Sequence, residues 1–228
     1  MHHPIRNTNL SLHHAGDWQG IPVQPQRGPL VTNYLERIHF VIANAVADHT
    51  RTCVFRCDLK FPAHGFEPDT AVISRFVDSL KAQLNANAQR KERQGKRQHL
   101  CQLRYIWVKE RDSSHLWHYH VALFVNRDSY FTLGACRPVA NNTGRDAPFM
   151  QMNMVDRIRA AWASAMGINV QQIGGLVHLP NNPIYHLDGN DTAFDSQYAE
   201  LFHRLSYFAK LDTKHYGDGT NNFGCSRN

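Results

Sequence analysis

Two histidines separated by one residue, His118 and His120, lie in the apolar and aromatic run Trp117-His-Tyr-His-Val-Ala-Leu-Phe-Val125. The run predicts a β-strand, on which both imidazoles point to one face and lie about 7 Å apart along the chain. If this strand forms an antiparallel hairpin with residues 103–110 and Glu110 sits opposite His118, the carboxylate lies beside both imidazoles. Two neutral nitrogens and one carboxylate suit a divalent metal ion that keeps open positions for a substrate oxygen.

Plainer interpretations compete with this metal site. A His-x-His pair on a strand is more often structural, and Glu110 alone could be a solvated strand end. The joint pattern is more specific for a metal site than either part alone. It consists of a glutamate, seven intervening residues and a His-x-His pair across a predicted hairpin. A cupin-like barrel is disfavoured, because such a site places its glutamate a few residues after the second histidine, where apolar residues stand here. Asp58, Asp112 and His115 could each replace Glu110 as the third ligand.

Tyr207 and Lys210 form a second chemical pair near the end of the chain. A helix is predicted from Asp195 to Tyr216, with Gly217 as its stop, and residues three apart are neighbours on a helix surface. The phenol has an ordinary pKa near 10, so it needs a metal-polarised phosphate and a nearby positive charge to act as a nucleophile. A solvated basic helix face is the simpler explanation for this helix alone. The metal pattern upstream makes the nucleophile the better interpretation.

The elements that would position these residues alternate between helices and strands. Apolar spacing predicts helices over residues 32–49 with Thr32 as N-cap, from about 70 to a basic end at 90–97, over 155–166 before Gly167, and over 195–216. Strands are predicted over residues 53–61, 103–110, 117–125 and 175–180. In the first strand, apolar residues alternate with Arg56, Asp58 and Lys60, so one face is expected to be core and the other polar. This order predicts an α+β fold with a central antiparallel β-sheet flanked by helices.

The composition limits the class of protein. The chain has 228 residues, of which 42% are hydrophobic and 19% charged, and this balance excludes collagen-like, low-complexity and mostly disordered proteins. Residues 1–30 are rich in histidine and proline and are expected to form an irregular arm, residues 31–217 the single domain, and residues 218–228 a tail. The 25 Lys and Arg outnumber the 19 Asp and Glu, and the net charge of +6 favours polyanions such as nucleic acid.

The expected compartment is the cytoplasm, with no membrane partner. No segment approaches the length of an apolar membrane span, and the start of the chain lacks the apolar core of a signal peptide. The five cysteines are scattered and odd in number, so free thiols are expected rather than a disulfide framework.

The chain resembles the HUH-type endonucleases of rolling-circle replication, and more closely the inovirus gene-II-like proteins of the YagK/YfjJ type found in phages and prophages. The resemblance spans roughly residues 31–217 and rests on four segments, namely Cys57-Asp-Leu-Lys-Phe-Pro62, the His-x-His strand through Asn126, Gly175-Leu-Val-His-Leu-Pro180, and Arg204-Leu-Ser-Tyr-Phe-Ala-Lys-Leu-Asp-Thr-Lys214.

The resemblance implies a fold and a set of residue roles. The fold would be the HUH endonuclease domain, with an RRM-like palm. His118 and His120 would be ligands of Mg²⁺ or Mn²⁺, Glu110 the third ligand, Tyr207 the nucleophile and Lys210 its partner. Some relatives carry a second tyrosine four residues from the first. Here His203 and Leu211 occupy those positions, so the resemblance implies an enzyme with one tyrosine.

The resemblance, together with the metal and tyrosine patterns, thus implies a phage- or prophage-type replication initiator that nicks and rejoins single-stranded DNA at an origin through a 5′-phosphotyrosyl intermediate. Host helicase and polymerase are expected partners, since the chain carries no GxxxxGK[ST] motif of an attached helicase. Candidate phosphate contacts are Arg56, Lys60, Arg104 and Lys214. The alternative is a non-catalytic, basic DNA-binding regulator whose histidines are structural or bind zinc. A metal oxygenase with the same Glu-His-His set would leave the tyrosine and lysine of the last helix without a role.

Overall fold

The described part of the chain contains four α-helices, three short 3-10 helices and ten strands. It comprises residues 10–64, 69–111, 117–134, 152–212, 214 and 220–227 of a computed structural model. The helices are α1 (Thr32–Asp48), α2 (Val72–Arg93), α3 (Met154–Met166) and α4 (Phe194–Ser206). The strands are β1 (Leu12–His13), β2 (Asp17–Trp18), β3 (Ile21–Pro22), β4 (Leu30–Val31), β5 (Arg51–Lys60), β6 (Arg104–Arg111), β7 (Trp117–Asn126), β8 (Val177–His178), β9 (Ile184–Asp188) and β10 (Phe223–Cys225).

A six-stranded antiparallel sheet lies at the centre of the fold. Its order is β10-β6-β7-β5-β8, and β9 pairs with the first half of β5. In the β6/β7 hairpin, Glu110 pairs with His118 and Val108 with His120, which confirms the predicted register. On the other side of β7, Asp58 of β5 pairs with His120. The sheet and its helices confirm the α+β fold class.

Helices cover both faces of this sheet. One core, which includes Phe55 of β5 and Trp162 of α3, packs α2 and α3 against one face of the sheet. The second core, which includes Ile106 of β6 and Phe202 of α4, packs α1 and α4 against the other face. The expectation of a polar face on β5 is therefore wrong, because helices lie over both sides of this central strand. Even Arg56 is only 3% exposed. None of the helices in the described ranges is long and apolar enough to cross a lipid bilayer.

The two ends of the chain pack against the domain. Residues 1–30 are expected to be an irregular arm, but the described part of this segment forms two short ribbons, β1 with β4 and β2 with β3. Trp18 stacks on Phe202 of α4 with ring centroids 5.4 Å apart, and Leu30 is fully buried. Burial of these apolar side chains holds the segment on the second core. In the expected tail, β10 pairs with β6 at the edge of the sheet.

Helix α4 ends earlier than the sequence predicts. Tyr207 opens a 3-10 turn, Tyr207–Ala209, and the chain is extended at Lys210. The backbone of Lys210 forms a β-bridge with Leu30, and Leu211 N–H donates to the carbonyl of Pro29 over 3.0 Å. These backbone bonds to the N-terminal segment replace the next helical turn. Tyr216 and Gly217, the predicted end, lie outside the described residues.

Two other helix ends were predicted with different success. Gly167 ends α3 in the left-handed conformation at φ 68°, which confirms its role as a stop. Thr32 is the first residue of α1 and not its N-cap. The N-cap is Val31, which has no side chain able to accept a hydrogen bond.

Candidate metal and tyrosine site

Three potential metal ligands meet at one end of the β6/β7 hairpin. The Nε2 atoms of His118 and His120 are 3.2 Å apart, and Glu110 Oε2 lies 3.2 Å from His120 Nε2. One donor atom from each residue lies within 4.8 Å of the others. A metal ion bound about 2.1 Å from each ligand holds neighbouring donors about 3 Å apart, so these separations fit a shared divalent cation. The predicted Glu-His-His set is brought together as the register requires.

Asp58 supports this set from the neighbouring strand. Its Oδ1 lies 2.6 Å from His120 Nδ1, which leaves His120 Nε2 facing Glu110 and His118. A carboxylate on the second ring nitrogen fixes the tautomer and orientation of a metal-binding histidine. The other oxygen of Asp58 lies 3.2 Å from Nδ1 of His178, which is half-exposed on β8. Asp58 therefore bonds the second ring nitrogen of a candidate ligand, and Glu110 is the carboxylate that lies with the two Nε2 atoms. Asp112 and His115, which the sequence also allows as third ligands, lie outside the described residues.

Opposing effects set the pKa values of these groups. Burial acts to raise the pKa of Glu110, but the hydrogen bond to His120 and the charge of Lys214 hold it well below its usual range. Burial also acts to raise the pKa of Asp58, and its hydrogen bonds to the two histidines outweigh that effect. For His120, burial lowers the pKa and the hydrogen bonds to Asp58 and Glu110 raise it further than burial lowers it. Both carboxylates are therefore ionised at neutral pH.

Two lysines contact Glu110 from the other side. Lys214 Nζ lies 2.6 Å from Glu110 Oε1, and Lys210 Nζ lies 3.1 Å from Oε2. Both ammonium groups are largely buried, and burial lowers the pKa of Lys214 to about 8 although the charge of Glu110 opposes this. One carboxylate thus forms ion pairs with two lysines and also faces the histidine pair.

Tyr207 lies beside the same residues. Lys210 Nζ donates a hydrogen bond to Tyr207 Oη and sits 4.0 Å from the centroid of the tyrosine ring. The ring packs edge-on against His120, with centroids 5.6 Å apart. The half-buried phenol, the lysine and the candidate ligands therefore share one face of the sheet, although they come from segments about 90 residues apart in the sequence.

The N-terminal segment holds the turn that carries Tyr207. The side-chain amide of Gln24 donates to the carbonyl of His203 over 2.8 Å, and the backbone N–H of Gln24 donates to Ser206 Oγ over 3.0 Å. Ser206 Oγ in turn donates to the same His203 carbonyl over 2.7 Å. These bonds satisfy carbonyls that the end of α4 would leave without a partner. Gln24 was not recognised from the sequence.

The four candidate phosphate contacts lie in different environments. Lys60 is exposed at the end of β5 that carries Asp58. Arg104 is bonded to Asp48, with Nη2 and Oδ1 3.2 Å apart, and lies six residues or about 20 Å along β6 from the Glu110 end. Lys214 is buried on Glu110, so it does not offer its charge to a surface-bound strand. Arg56 is buried as well.

The fold and the site define an α+β domain with a Glu-His-His cluster beside a tyrosine–lysine pair. Residues 15–226 match the family model of the YagK/YfjJ C-terminal domain, and the chain belongs to this family. It is similar to two Escherichia coli K12 proteins named Uncharacterized protein YagK and Uncharacterized protein YfjJ. Identity to the first is 34% over 215 residues, covering 90% of this chain and 97% of the relative. Identity to the second is 35% over 213 residues, covering 88% and 96%. A search of solved structures finds no match.

Proposed function

We propose that this protein is a metal-dependent tyrosine endonuclease of the HUH type, which nicks and rejoins single-stranded DNA at a phage or prophage replication origin. The observation that carries the proposal is the placement of Tyr207 and Lys210 against His120 and Glu110 on one sheet face. A phenol, an ammonium group and a cation site in contact are the groups needed for phosphoryl transfer to tyrosine.

Tyr207 is the nucleophile of the proposed reaction, and Lys210 assists it. Lys210 Nζ, bonded to Tyr207 Oη, stabilises the phenolate as its proton leaves to solvent. Oη then attacks the scissile phosphorus, the bond from phosphorus to the 3′ oxygen breaks, and that oxygen takes up a proton. The products are a 5′-phosphotyrosyl enzyme and a free 3′ hydroxyl. Attack by such a hydroxyl on the tyrosyl ester reverses the step and rejoins the strand.

Glu110, His118 and His120 would hold Mg²⁺ or Mn²⁺, and the bound ion would supply positive charge to a non-bridging oxygen of the scissile phosphate. Oxygen and imidazole ligands suit these ions. Asp58 bonds His120 Nδ1 and so leaves Nε2 free to bind such an ion, and the two lysines partly offset the negative charge of Glu110.

Lys60 and the net positive charge support a nucleic acid as substrate. A free 3′ hydroxyl is a primer, so a host polymerase would extend it and a host helicase would separate the strands. These partners follow from the proposed products.

The test is a covalent adduct. The protein is incubated with Mn²⁺ and labelled single-stranded oligonucleotides that tile the DNA around its own gene, and adducts that survive denaturation are counted on a gel. We expect adducts with wild-type protein, none with Tyr207→Phe, and none in EDTA. Tyr198→Phe is the matched control, because Tyr198 lies on α4, ahead of the turn that carries Tyr207. Its hydroxyl lies 2.6 Å from Nδ1 of His39 and not beside the candidate ligands. Binding of these oligonucleotides without any adduct would favour the non-catalytic regulator.

A further inference from the structure

Arg56 carries a buried positive charge that its surroundings do not pair. It lies in the middle of β5, is 3% exposed, and its Nε and Nη1 atoms have no hydrogen-bond partner. The guanidinium carbon lies 5.2 Å from the centroid of the Phe208 ring. A cation over a ring face gains about 2 kcal/mol or less, which is well below the cost of removing an unpaired charge from water.

The positive charge of a second arginine, Arg204, makes the burial of the charged Arg56 side chain less favourable. Arg204 of α4 is half-buried, and its Nε atom is also without a partner. Its side chain bonds to Tyr185, and its Nη2 lies 3.5 Å from the carbonyl of the exposed Asn181. Burial lowers the pKa of Arg56, and the positive charge of Arg204 lowers it further. Asp58 acts in the opposite direction, but its two oxygens are bonded to His120 and His178.

Arg56 lies next to the candidate metal site. Arg56 and Asp58 are two residues apart on the same face of β5, or about 7 Å along the strand. The Phe208 ring lies between the two sites, since its centroid is 5.2 Å from the Arg56 guanidinium and 6.1 Å from the His120 ring. An anion bound at the arginines would be close to a phosphate held at Glu110, His118 and His120.

We infer that Arg56 and Arg204 form a second phosphate-binding site, which takes a phosphate of the DNA strand adjacent to the scissile one. The inference rests on the proposed function for its ligand. A phosphate has several acceptor oxygens, and a guanidinium binds such oxygens with paired, charge-assisted hydrogen bonds. The strand would enter from the side of Asn181, where Arg204 meets the surface. Arg56 then contributes to DNA binding as the sequence suggested, but from the interior.

The first experiment uses inorganic phosphate and thermal unfolding. Wild type, Arg56→Met, Arg204→Met and Arg157→Met are compared in phosphate-free buffer and in rising phosphate at constant ionic strength. Arg157 is the matched control, because it is also 3% exposed with an unpartnered Nε, but it lies on α3 across the sheet and donates to the carbonyl of Gln83. Phosphate should raise the Tm of wild type and Arg157→Met, and have little effect on the other two variants.

The same experiment separates a binding role from a structural one. Without phosphate, Arg56→Met should be at least as stable as wild type, because the substitution removes an unpaired buried charge. If Arg56→Met is instead destabilised and responds to phosphate as wild type does, the arginine is structural and the inference fails.

The second experiment uses single methylphosphonate substitutions, which neutralise one phosphate at a time in an oligonucleotide that the protein binds. Affinity is measured by fluorescence anisotropy in EDTA. With wild type, one substitution beside the cleavage position should weaken binding about tenfold or more, the effect of a charge-assisted hydrogen bond. With Arg56→Met that substitution should have no further effect. An unchanged pattern in the variant would overturn the inference.

The outcomes distinguish this inference from the proposed function. A phosphate response lost in Arg56→Met, together with no Tyr207 adduct, would keep the phosphate site and reject the nuclease. An adduct formed normally by Arg56→Met, with no phosphate effect in either protein, would keep the nuclease and reject the site.

Discussion

Replacement of Glu110 by glutamine tests whether one carboxylate is the counter-ion of two buried lysines. The Glu110 side chain is 2% exposed and contacts Lys214 Nζ at 2.6 Å and Lys210 Nζ at 3.1 Å. Glutamine keeps the size of the side chain and one acceptor oxygen but removes the charge. Two ammonium groups would then remain in a buried site without their acidic partner.

The expected loss follows from the burial of this ion pair. Removal of one partner of a buried pair costs about 3–5 kcal/mol. In a domain of this size each kcal/mol shifts the Tm by about 2–4 °C, so Glu110→Gln should lower the Tm by about 6–20 °C. Lys214→Met should cost less, since Glu110 keeps Lys210 and His120. The double variant should be more stable than the sum of the single losses predicts, by about 0.5–3 kcal/mol.

The assay is urea denaturation followed by circular dichroism in EDTA, with thermal melts of the same proteins. Glu36→Gln is the control, because Glu36 is exposed on α1 and its substitution should change the free energy of unfolding by less than about 0.5 kcal/mol. If Glu110→Gln is as stable as wild type, or if the losses of the two single variants add fully in the double variant, Glu110 is not the counter-ion of the two lysines.

Three further predictions concern the ligand support, the buried lysine and the sheet edge. Asp58→Asn should weaken Mn²⁺ binding about 10- to 100-fold in calorimetric titration without unfolding the protein, because the carboxylate orients His120. The stability of wild type relative to Lys214→Met should rise from about pH 8 to pH 10.5, because burial lowers the pKa of Lys214 in the folded state and the unfolded chain therefore binds more protons in this range. Gly224→Ala should cost about 1–3 kcal/mol in urea denaturation, because an added Cβ would lie 2.4 Å from ring carbons of Trp107.

Each of these predictions has an opposite outcome. Gly16→Ala is the control for the glycine variant, since an added Cβ there meets nothing within 4 Å, and equal losses in the two variants would contradict the packing argument. Unchanged Mn²⁺ affinity in Asp58→Asn would mean that the carboxylate does not orient the ligand. If the free energy of unfolding of wild type relative to Lys214→Met, measured in EDTA, falls between about pH 8 and pH 10.5, the pKa of Lys214 is not lowered in the folded state.

The hairpin and its register could be predicted because the information is local. Two apolar runs separated by a short polar linker leave few ways to pair, and the two-residue period of a strand then fixes which side chains share a face. Glu110, His118 and His120 therefore follow from the sequence. Asp58 is recognisable in the sequence as a polar residue that alternates with apolar ones. Its position opposite His120 could not be predicted, because it depends on which strand lies next to β7.

Burial of charged residues could not be predicted in the same way. Arginine and lysine are usually exposed, so the residue types of Arg56 and Lys214 predict surface positions. The side chains that bury each of them come from distant parts of the chain. Lys214 meets Glu110 across 104 residues of sequence. The early end of α4 has the same origin, because no proline or glycine interrupts the segment after Ser206 and the competing backbone bonds come from Pro29 and Leu30.

The strands β9 and β10 were missed for a related reason. Ile184–Asp188 is short and bordered by asparagine, proline and glycine, which are typical of turns. Phe223–Cys225 has three residues and contains a glycine. Both segments are strands because a partner strand offers them hydrogen bonds, and such pairing has no local signature.

The contacts of Gln24 bear on how this protein is truncated or tagged. A fragment started at residue 31, where the composition suggests a boundary, would remove the amide that holds the His203 carbonyl and the residues to which the chain after Tyr207 is bonded. Such a fragment would retain every candidate ligand and the tyrosine itself. Its tyrosine would nevertheless no longer be held beside those ligands. On the proposed function, this fragment would therefore fail to form the DNA adduct for a purely structural reason.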